Sequence, residues 1–350
     1  MTSKRDFLDA DSLSPAELGK ILDLADELKA DRRQRDDLAG RSVGMIFEKP
    51  STRTRISFEV GIRELGGAAV VLSAGELQLG RGETIEDTAR VLSRYLHAVV
   101  VRTFAQTRLA ALAHAGSIPV INALSDFSHP CQALADLQTI RERKGTLAGL
   151  KLAYLGDGNN VAHSLLQAGA LAGMRVVVGC PDGYQPEAAV VDGAARIAAG
   201  TGGSATVTTD PAEAAAGADV IYTDVWTSMG QEAERSARLE RLAAYQVNAE
   251  TLAAAAPDAI VLHCLPAHRG EETEDAVIDG PASIVWAQAA NRLHAVRAVI
   301  SNPSRIDTPE ETSVPSVRVK RDTALFRSSE PRTGERSRNR SITSSPPEVR

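Results

Sequence analysis

The alternation of apolar and polar positions along the chain predicts helices that alternate with short strands. Between Ser14 and Arg35, apolar residues recur at the spacing of an amphipathic helix, and Ser14 with Glu17 forms the capping-box pattern that begins one. Short runs rich in β-branched residues follow, at Ser42–Phe47, Ala68–Leu72, Ala98–Arg102 and Pro119–Asn122. Helical patterns between the first three of these runs are typical of parallel strands joined by helices.

A second series of strands begins after a helical pattern over Cys131–Arg143 that ends at Gly145. Its strands are predicted at Lys151–Leu155, Arg175–Gly179, Ala205–Val207, Val220–Thr223 and Ile260–His263. We therefore predict an α/β protein of two domains, each with a central, mostly parallel sheet flanked by helices, with the boundary near Gly145. Residues 302–350 are predicted to be a disordered tail, because Pro, Ser and Arg dominate there and no apolar periodicity remains.

Composition favours a soluble α/β enzyme and argues against other classes. A chain of 350 residues can form two domains with separate cores, and its aromatic content of 4% is low beside its many aliphatic residues. The formal net charge of −6 gives no reason to expect binding to nucleic acid or to a membrane. No apolar run has the length of a membrane helix, the N-terminus lacks a signal-peptide pattern, and the three scattered cysteines match no metal motif, so a cytoplasmic protein is expected.

A polar cluster directly follows the first predicted strand, at the expected N-terminus of a helix. It contains Ser51, Thr52, Arg53 and Thr54. Unpaired backbone N–H groups and the helix dipole favour an anion there, and hydroxyl and guanidinium groups can hold phosphoryl oxygens. A simple capping cluster is the alternative, but capping needs one hydroxyl and no arginine. The pattern therefore predicts a phosphate site.

A glycine-containing turn, Gly156–Asn160, follows the strand at Lys151–Leu155. Gly156 and Gly158 fit the first two glycines of a dinucleotide-binding fingerprint, but Val161 stands where the third belongs. The turn therefore gives little support for a dinucleotide cofactor.

The segment Phe47–Arg55 resembles the phosphate-binding signature of the aspartate and ornithine carbamoyltransferase family, especially of its ornithine branch. Other segments resemble that family's motifs in the same order: Gln78, Arg102, His129–Gln132, Asn160, Asp224–Gln231, His263–Arg269 and Asn291–Arg292. The resemblance implies a carbamoyl phosphate-binding domain at 1–146, an ornithine-binding domain at 147–285, and a helix at 286–301 that returns to the first domain. One departure is Trp286–Ala290, where relatives carry acidic residues.

The activity implied by the resemblance is transfer of the carbamoyl group of carbamoyl phosphate to the side-chain amine of ornithine, giving citrulline and phosphate, without metal or organic cofactor. The residues implied to bind carbamoyl phosphate are Ser51, Thr52, Arg53, Thr54, Gln78, Arg102, His129, Pro130, Cys131, Gln132, Cys264, Leu265 and Arg292. Those implied to bind ornithine are Asn160, Asp224, Ser228 and Met229, and those implied to be catalytic are Arg102, His129, Asp224 and Cys264. Without the resemblance, His129 fits helix capping as well as function, and Cys264 fits an ordinary buried cysteine.

The chemistry of the amine suggests a role for Cys264. The δ-amine of ornithine should have a pKa near the ~10.4 of lysine, so presenting it neutral at pH 7 costs ~4.6 kcal/mol. A Cys264 thiolate close to Asp224 could accept that proton or orient the lone pair.

Two other functions remain open: carbamoyl transfer to putrescine or acetylornithine, and non-catalytic binding of carbamoyl phosphate. Cys264 and Asp224 argue against the second, and the Ser228–Gly230 segment favours ornithine. The resemblance also implies a homotrimer or a multiple of trimers, serving arginine biosynthesis or its catabolic reverse.

Overall fold

Two parallel sheets form the framework of the molecule. The computed structural model describes residues 4–73, 82–227 and 232–301, all within one compact unit. The strands of the first sheet are β1 Ser42–Phe47, β2 Ala68–Ser73, β3 Ala98–Arg102 and β4 Val120–Leu124, in the order β2-β1-β3-β4. Those of the second are β5 Lys151–Leu155, β6 Arg175–Gly179, β7 Ser204–Thr208, β8 Val220–Thr223 and β9 Ile260–His263, in the order β7-β6-β5-β8-β9. Neighbouring strands run parallel throughout both sheets.

Helices connect and cover the strands. In the first half they are α1 Pro15–Ala30, α2 Thr52–Glu64, α3 Ile85–Leu92, α4 Gln106–Ala115 and α5 Pro130–Lys144. In the second half they are α6 Asn160–Leu171, α7 Ala188–Thr201, α8 Pro211–Ala215, α9 Arg235–Leu242, α10 Ala249–Ala254, α11 Asp275–Ile278 and α12 Val285–Ile300. Short 3-10 helices cover Ala10–Ser12, Glu232–Glu234 and Ala243–Tyr245.

Capping chemistry sets the ends of the helices. The predicted capping box is present on α1, where Ser14 accepts from the N–H of Glu17 and the Glu17 carboxylate accepts from the N–H of Ser14. The predicted end of α1 was wrong, because the helix stops at Ala30. Residues 31–35 are polar and exposed, so another turn would bury no apolar surface. The end of α5 is as predicted, since Gly145 follows it in the left-handed region with φ 76°.

The last described helix, α12, returns to the first half of the molecule, as predicted, and packs against α1, α2 and α5. Arg297 on α12 is fully buried and donates to the carbonyl of Leu28 at 3.0 Å. This packing brings a segment from beyond the second sheet against the helices of the first sheet.

The predicted fold class of two parallel sheets flanked by helices is confirmed. β1, β3, β5, β6, β8 and β9 have their predicted bounds. The domain divisions at 146 and 285 stay a prediction, and the tail at 302–350 lies outside the described residues. No helix within the described ranges is long and apolar enough to cross a membrane.

Candidate active site

A cavity of about 680 Å³ opens where the carboxyl ends of strands from both sheets meet. Residues after β1 and β3 line it from the first half, and residues after β5, β8 and β9 line it from the second. This is the edge at which open α/β sheets bind ligands. The predicted site residues that line the cavity are Ser51, Thr52, Arg53, Thr54, Arg102, His129, Asn160, Asp224, Cys264, Leu265 and Arg292.

One end of the cavity is built on the N-terminus of α2. Ser51 is the N-cap residue, and its hydroxyl accepts from the N–H of Thr54 at 3.3 Å. The Thr54 hydroxyl accepts from Arg102 at 3.4 Å and lies 3.3 Å from Nη1 of Arg292. With Arg53 on the same helix turn, the helix N-terminus and three guanidinium groups suit a phosphate dianion.

The three arginines make this end strongly cationic. Burial, and then the charge of Arg292, lowers the pKa of Arg102 to about 10. The same two causes, in the same order, lower the pKa of Arg53. An anion bound among these groups would relieve their mutual repulsion. The chain thus concentrates positive charge locally although its formal net charge is −6.

Two of these arginines also reach across the cavity to the segment after β9. Arg53 donates to the carbonyl of Leu265 at 2.8 Å, and Nη2 of Arg292 donates to the carbonyl of Cys264 at 3.3 Å. Leu265 has a left-handed backbone with φ 59° and precedes a cis peptide bond to Pro266. The cationic end therefore contacts the backbone that presents Cys264.

His129 also lines the cavity. It is the residue before α5, but its side chain makes no capping hydrogen bond, so the capping alternative is wrong. Its backbone N–H donates to the hydroxyl of Ser164 at 2.8 Å, and its Nδ1 is buried without a hydrogen-bond partner among the described residues. Burial, followed by the charges of Arg292 and Arg102, holds the pKa of His129 well below its usual range. The ring is therefore neutral, with one N–H available to donate.

The opposite end of the cavity is centred on Asp224, which follows β8. Its Oδ1 accepts from the thiol of Cys264 at 3.0 Å, and its Oδ2 accepts from the side-chain amide of Asn159 at 3.2 Å. Asp224 is only 6% exposed. Because each of its oxygens accepts a hydrogen bond, the orientation of the carboxylate is fixed.

The expected thiolate form of Cys264 is corrected by this geometry. Burial, and then the charge of Asp224, raises the pKa of the Cys264 thiol well above its usual range. The sulfur is therefore a neutral thiol that donates a hydrogen bond to the Asp224 carboxylate.

The glycine-containing turn after β5 serves close packing. A side chain at Gly158 would lie 2.4 Å from the backbone nitrogen of Pro186, and the Gly158 N–H donates to the carbonyl of Tyr184 at 2.8 Å. The backbone at Tyr184–Pro186 of this chain thus occupies the space beside Gly158 that a dinucleotide would need. Asn160, at the start of α6, lines the cavity and donates to the carbonyl of Ser125 at 2.6 Å.

Some predicted residues do not line the cavity. Pro130, Cys131 and Gln132 are buried in the first turn of α5 behind His129. Gln132 donates through Nε2 to Asp136 at 2.6 Å, and its Oε1 has no partner among the described residues. The predictions at Gln78, Ser228 and Met229 lie outside the described residues.

The cavity also contains polar residues for which no role was predicted from the sequence. Lys49 is 7% exposed, pairs with Asp126 at 2.6 Å, and lies 4.1 Å from the centre of the Phe104 ring. Asn159, the N-cap residue of α6, contacts Asp224. Both lie in segments that the sequence analysis had identified as motifs. Their position next to predicted site residues could therefore have indicated that they line the cavity.

Two groups of side chains place possible metal-ligand atoms close together. Asp224, His263 and Cys264 form one group, but both ring nitrogens of His263 are engaged, one by the N–H of Leu265 at 2.9 Å and one by Glu272 at 3.1 Å. His268, Glu271 and Glu272 form the other group.

Comparison with known proteins agrees with this division of the cavity. The model of the aspartate/ornithine carbamoyltransferase carbamoyl-P binding domain matches residues 5–142, and that of the Asp/Orn binding domain matches residues 148–302. Fold and site define a carbamoyltransferase. The chain belongs to the aspartate/ornithine carbamoyltransferase family, as its motifs predicted.

Similar proteins lie in the ornithine branch. An ornithine carbamoyltransferase of Parafrankia sp. (strain EAN1pec) is 61% identical over 305 residues, which are 86% of this chain and 96% of the relative. That of Acidothermus cellulolyticus is 60% identical over 298 residues, 85% of this chain and 96% of the relative. The solved ornithine carbamoyltransferase of Pyrococcus furiosus superposes with a TM-score of 0.83 at 52% identity, covering 85% of this chain and 96% of that one.

Proposed function

We propose that this protein transfers the carbamoyl group of carbamoyl phosphate to the δ-amine of L-ornithine, giving L-citrulline and phosphate. The observation that carries the proposal is the polarity of one cavity: three arginines at the N-terminus of α2 face a buried carboxylate, Asp224, at the other end. The first substrate is a dianion, and the second is an amino acid with two amines. The charge distribution matches both in the orientation that the reaction needs.

At the cationic end, the N-terminus of α2 and the hydroxyls of Ser51 and Thr54 would hold the phosphate. Arg53 and Arg292 would stabilise it as it leaves. A neutral His129 would donate to the carbonyl oxygen, together with Arg102, as negative charge develops there in the tetrahedral intermediate. Holding both substrates in register would supply much of the rate.

At the other end, Asp224 would bind an ammonium group of ornithine, and Asn160 would contact its α-carboxylate end. The δ-nitrogen attacks the carbonyl carbon as a neutral amine, the bond from that carbon to the phosphate oxygen breaks, and the nitrogen loses one proton to the departing phosphate. Cys264, as a neutral thiol, would orient Asp224 and would not act as the base. The roles of Gln78, Ser228 and Met229 stay predictions of the sequence.

An amine panel tests the substrate. Carbamoylated product is measured with ornithine, acetylornithine, putrescine and aspartate at equal concentration, and phosphate release is measured in parallel. We expect turnover with ornithine at least about 10²-fold above the others, since Asp224 and Asn160 recognise an unmodified α-amino acid. Activity confined to another amine would contradict the assignment, and carbamoyl phosphate binding without turnover would support a non-catalytic relative.

We further propose a homotrimer, or a multiple of trimers, that acts in the cytoplasm in arginine biosynthesis, with domains at 1–146 and 147–285. The family resemblance supports the trimer, because the Gln78 loop of relatives can reach a neighbouring subunit's site. Light scattering after size-exclusion chromatography measures the subunit number. A monomer that retains full activity would contradict this part of the proposal.

A further inference from the structure

A buried carboxylate, Asp136 on α5, joins elements that carry the candidate active site. It is 0% exposed. Its Oδ1 accepts from Nε2 of Gln132 at 2.6 Å and from Nε2 of Gln288 at 2.7 Å. Its Oδ2 accepts from the hydroxyl of Tyr222 at 3.1 Å. One side chain thus links α5, β8 and α12.

The links through Gln132 and Tyr222 lead to opposite ends of the cavity. Gln132 lies in the first turn of α5, directly after the segment that places His129. Tyr222 lies in β8, two residues before Asp224. Asp136 therefore connects the carbamoyl side of the cavity with its amine side.

The third link, through Gln288, reaches two more elements of the site. Gln288 lies one helical turn before Arg292 on α12. Its Oε1 accepts from the backbone N–H of His263 at 2.9 Å, and His263 is the residue before Cys264. Gln288 therefore links Asp136 to the backbone at the end of β9, from the same helix that carries Arg292.

The chemistry of a carboxylate fixes which way the two amides point. An ionised carboxylate only accepts hydrogen bonds, so the NH₂ ends of Gln132 and Gln288 must face Asp136. Their oxygens then face away, that of Gln288 to the N–H of His263 and that of Gln132 to no partner among the described residues. A neutral group at position 136 would allow either amide to turn, which would set the Gln288 NH₂ against the His263 N–H.

We propose that Asp136 is a positioning residue for carbamoyl transfer: by fixing the amide orientations of Gln132 and Gln288, it holds the carbamoyl side of the cavity in register with the amine side. This role rests on the function proposed above. It requires Asp136 to be ionised during turnover.

The pH dependence of kcat distinguishes a positioning role of Asp136 from a role in folding alone. Burial raises the pKa of Asp136 to about 6, against the opposing effect of its hydrogen bonds and of Arg292. The other titratable groups around it are Tyr222 and Cys264, which burial keeps neutral. Asp136 is therefore ionised above about pH 6, and as the pH falls through that value it gains a proton and the amides lose their fixed orientation.

The test is Asp136→Asn, which keeps the shape and imitates the protonated carboxyl. We expect kcat at about pH 8 to fall on the order of 10²-fold, as for a displaced reacting group. Inhibition by inorganic phosphate, which probes the cationic end alone, should change less than about twofold. The ratio of wild-type to variant kcat should shrink as the pH falls below about 6, whereas loss of folded protein would leave it constant.

Asp9→Asn is the matched control. Burial also raises the pKa of Asp9 to about 6, and this carboxylate accepts from Gln167, but in the part of the chain that the structure describes it has no hydrogen bond to β8 or α12. The kcat ratio for Asp9→Asn should stay near one at every pH.

Unchanged kcat in Asp136→Asn, or a reduced kcat with a pH-independent ratio, would overturn the positioning role. Absence of citrulline with the wild-type protein would instead contradict the proposed function. If Asp136→Asn does not fold, Tyr222→Phe replaces it, because it removes one bond to Asp136 and keeps the ring. An approximately tenfold fall in its kcat is expected, and wild-type kcat would overturn the role.

Discussion

The two ends of the cavity are built in opposite ways. The phosphate end uses consecutive residues, Ser51–Thr54, on one helix N-terminus, with arginines added from β3 and α12. The amine end is assembled from single residues after β5, β8 and β9, and Asp224 is its only carboxylate in direct contact with Cys264 among the described residues. Local backbone geometry suffices for an anion, whereas an amino acid needs groups that only the tertiary fold brings together.

Burial also has different consequences at the two ends. Among the arginines, burial and like charges lower the pKa of Arg102 to about 10, which still leaves the side chain charged at neutral pH. At Cys264, burial and Asp224 raise the thiol pKa and keep the sulfur neutral. The first end is thus a fixed charge and the second a fixed hydrogen-bond network.

The largest expected effect comes from breaking the phosphate end. Arg53→Ala should lower kcat on the order of 10³-fold or more, because the leaving phosphate loses a direct cation. The control is Arg55→Ala, since Arg55 lies two residues further on, is exposed, and pairs only loosely with Glu59 at 3.7 Å. Steady-state kinetics with circular dichroism checks both variants. Full activity of Arg53→Ala would contradict the phosphate site.

A smaller effect is expected from the amine end. Asp224→Asn should lower kcat/KM for ornithine on the order of 10²-fold, because the ammonium loses its buried counter-charge, and should leave inhibition by inorganic phosphate within about twofold. Asp258→Asn is the control, an exposed aspartate paired with Lys144. A rise in the inhibition constant for phosphate as large as the fall in kcat/KM for ornithine would show that the two ends do not act separately.

Substitutions of Cys264 distinguish a catalytic thiolate from a neutral thiol that orients Asp224. Cys264→Ala should lower kcat about tenfold through loss of the bond that orients Asp224, and Cys264→Ser, which keeps a donor, should retain most activity. Because the thiol pKa is raised, the thiol stays protonated through the neutral range, so all three proteins should have pH–rate profiles of the same shape between about pH 6 and 9. A limb present in the wild type and absent from Cys264→Ala would restore the thiolate hypothesis.

The smallest effect lies away from the cavity. Ser14→Ala removes one half of the capping box on α1 and should lower the free energy of unfolding by about 1 kcal/mol. Kinetic constants should remain unchanged, since α1 contributes no side chain to the cavity. Urea denaturation measures the first quantity. A change in kcat would mean that α1 acts on the site through α12.

The sequence predicted the fold where each element depended on its own residues. The strands could be read from β-branched runs, and Ser14 and Gly145 marked helix ends. The end of α1 was overestimated because Arg32 and Arg33 are compatible with a helix, and only the lack of a surface to cover stops it. The phosphate end could be predicted equally well, since Ser51–Thr54 are consecutive in the sequence.

The remaining features of the site depend on contacts between residues far apart in the chain, which only the three-dimensional structure shows. Gln288 and Asp136 are separated by 152 positions in the chain, so neither suggested the other. The neutral state of Cys264 depends on a partner 40 positions away. The packing of Gly158 against Tyr184 and Pro186 likewise depends on residues about 26 positions further along the chain, so the sequence of the turn did not show it.

The contact between Thr54 and Arg292 spans 238 positions of the chain. During synthesis the first helix turn of the phosphate end is made early, but its last arginine is made only after Asn160, Asp224 and Cys264 have all been added. A growing chain therefore cannot complete its anion site before the residues of the amine end exist.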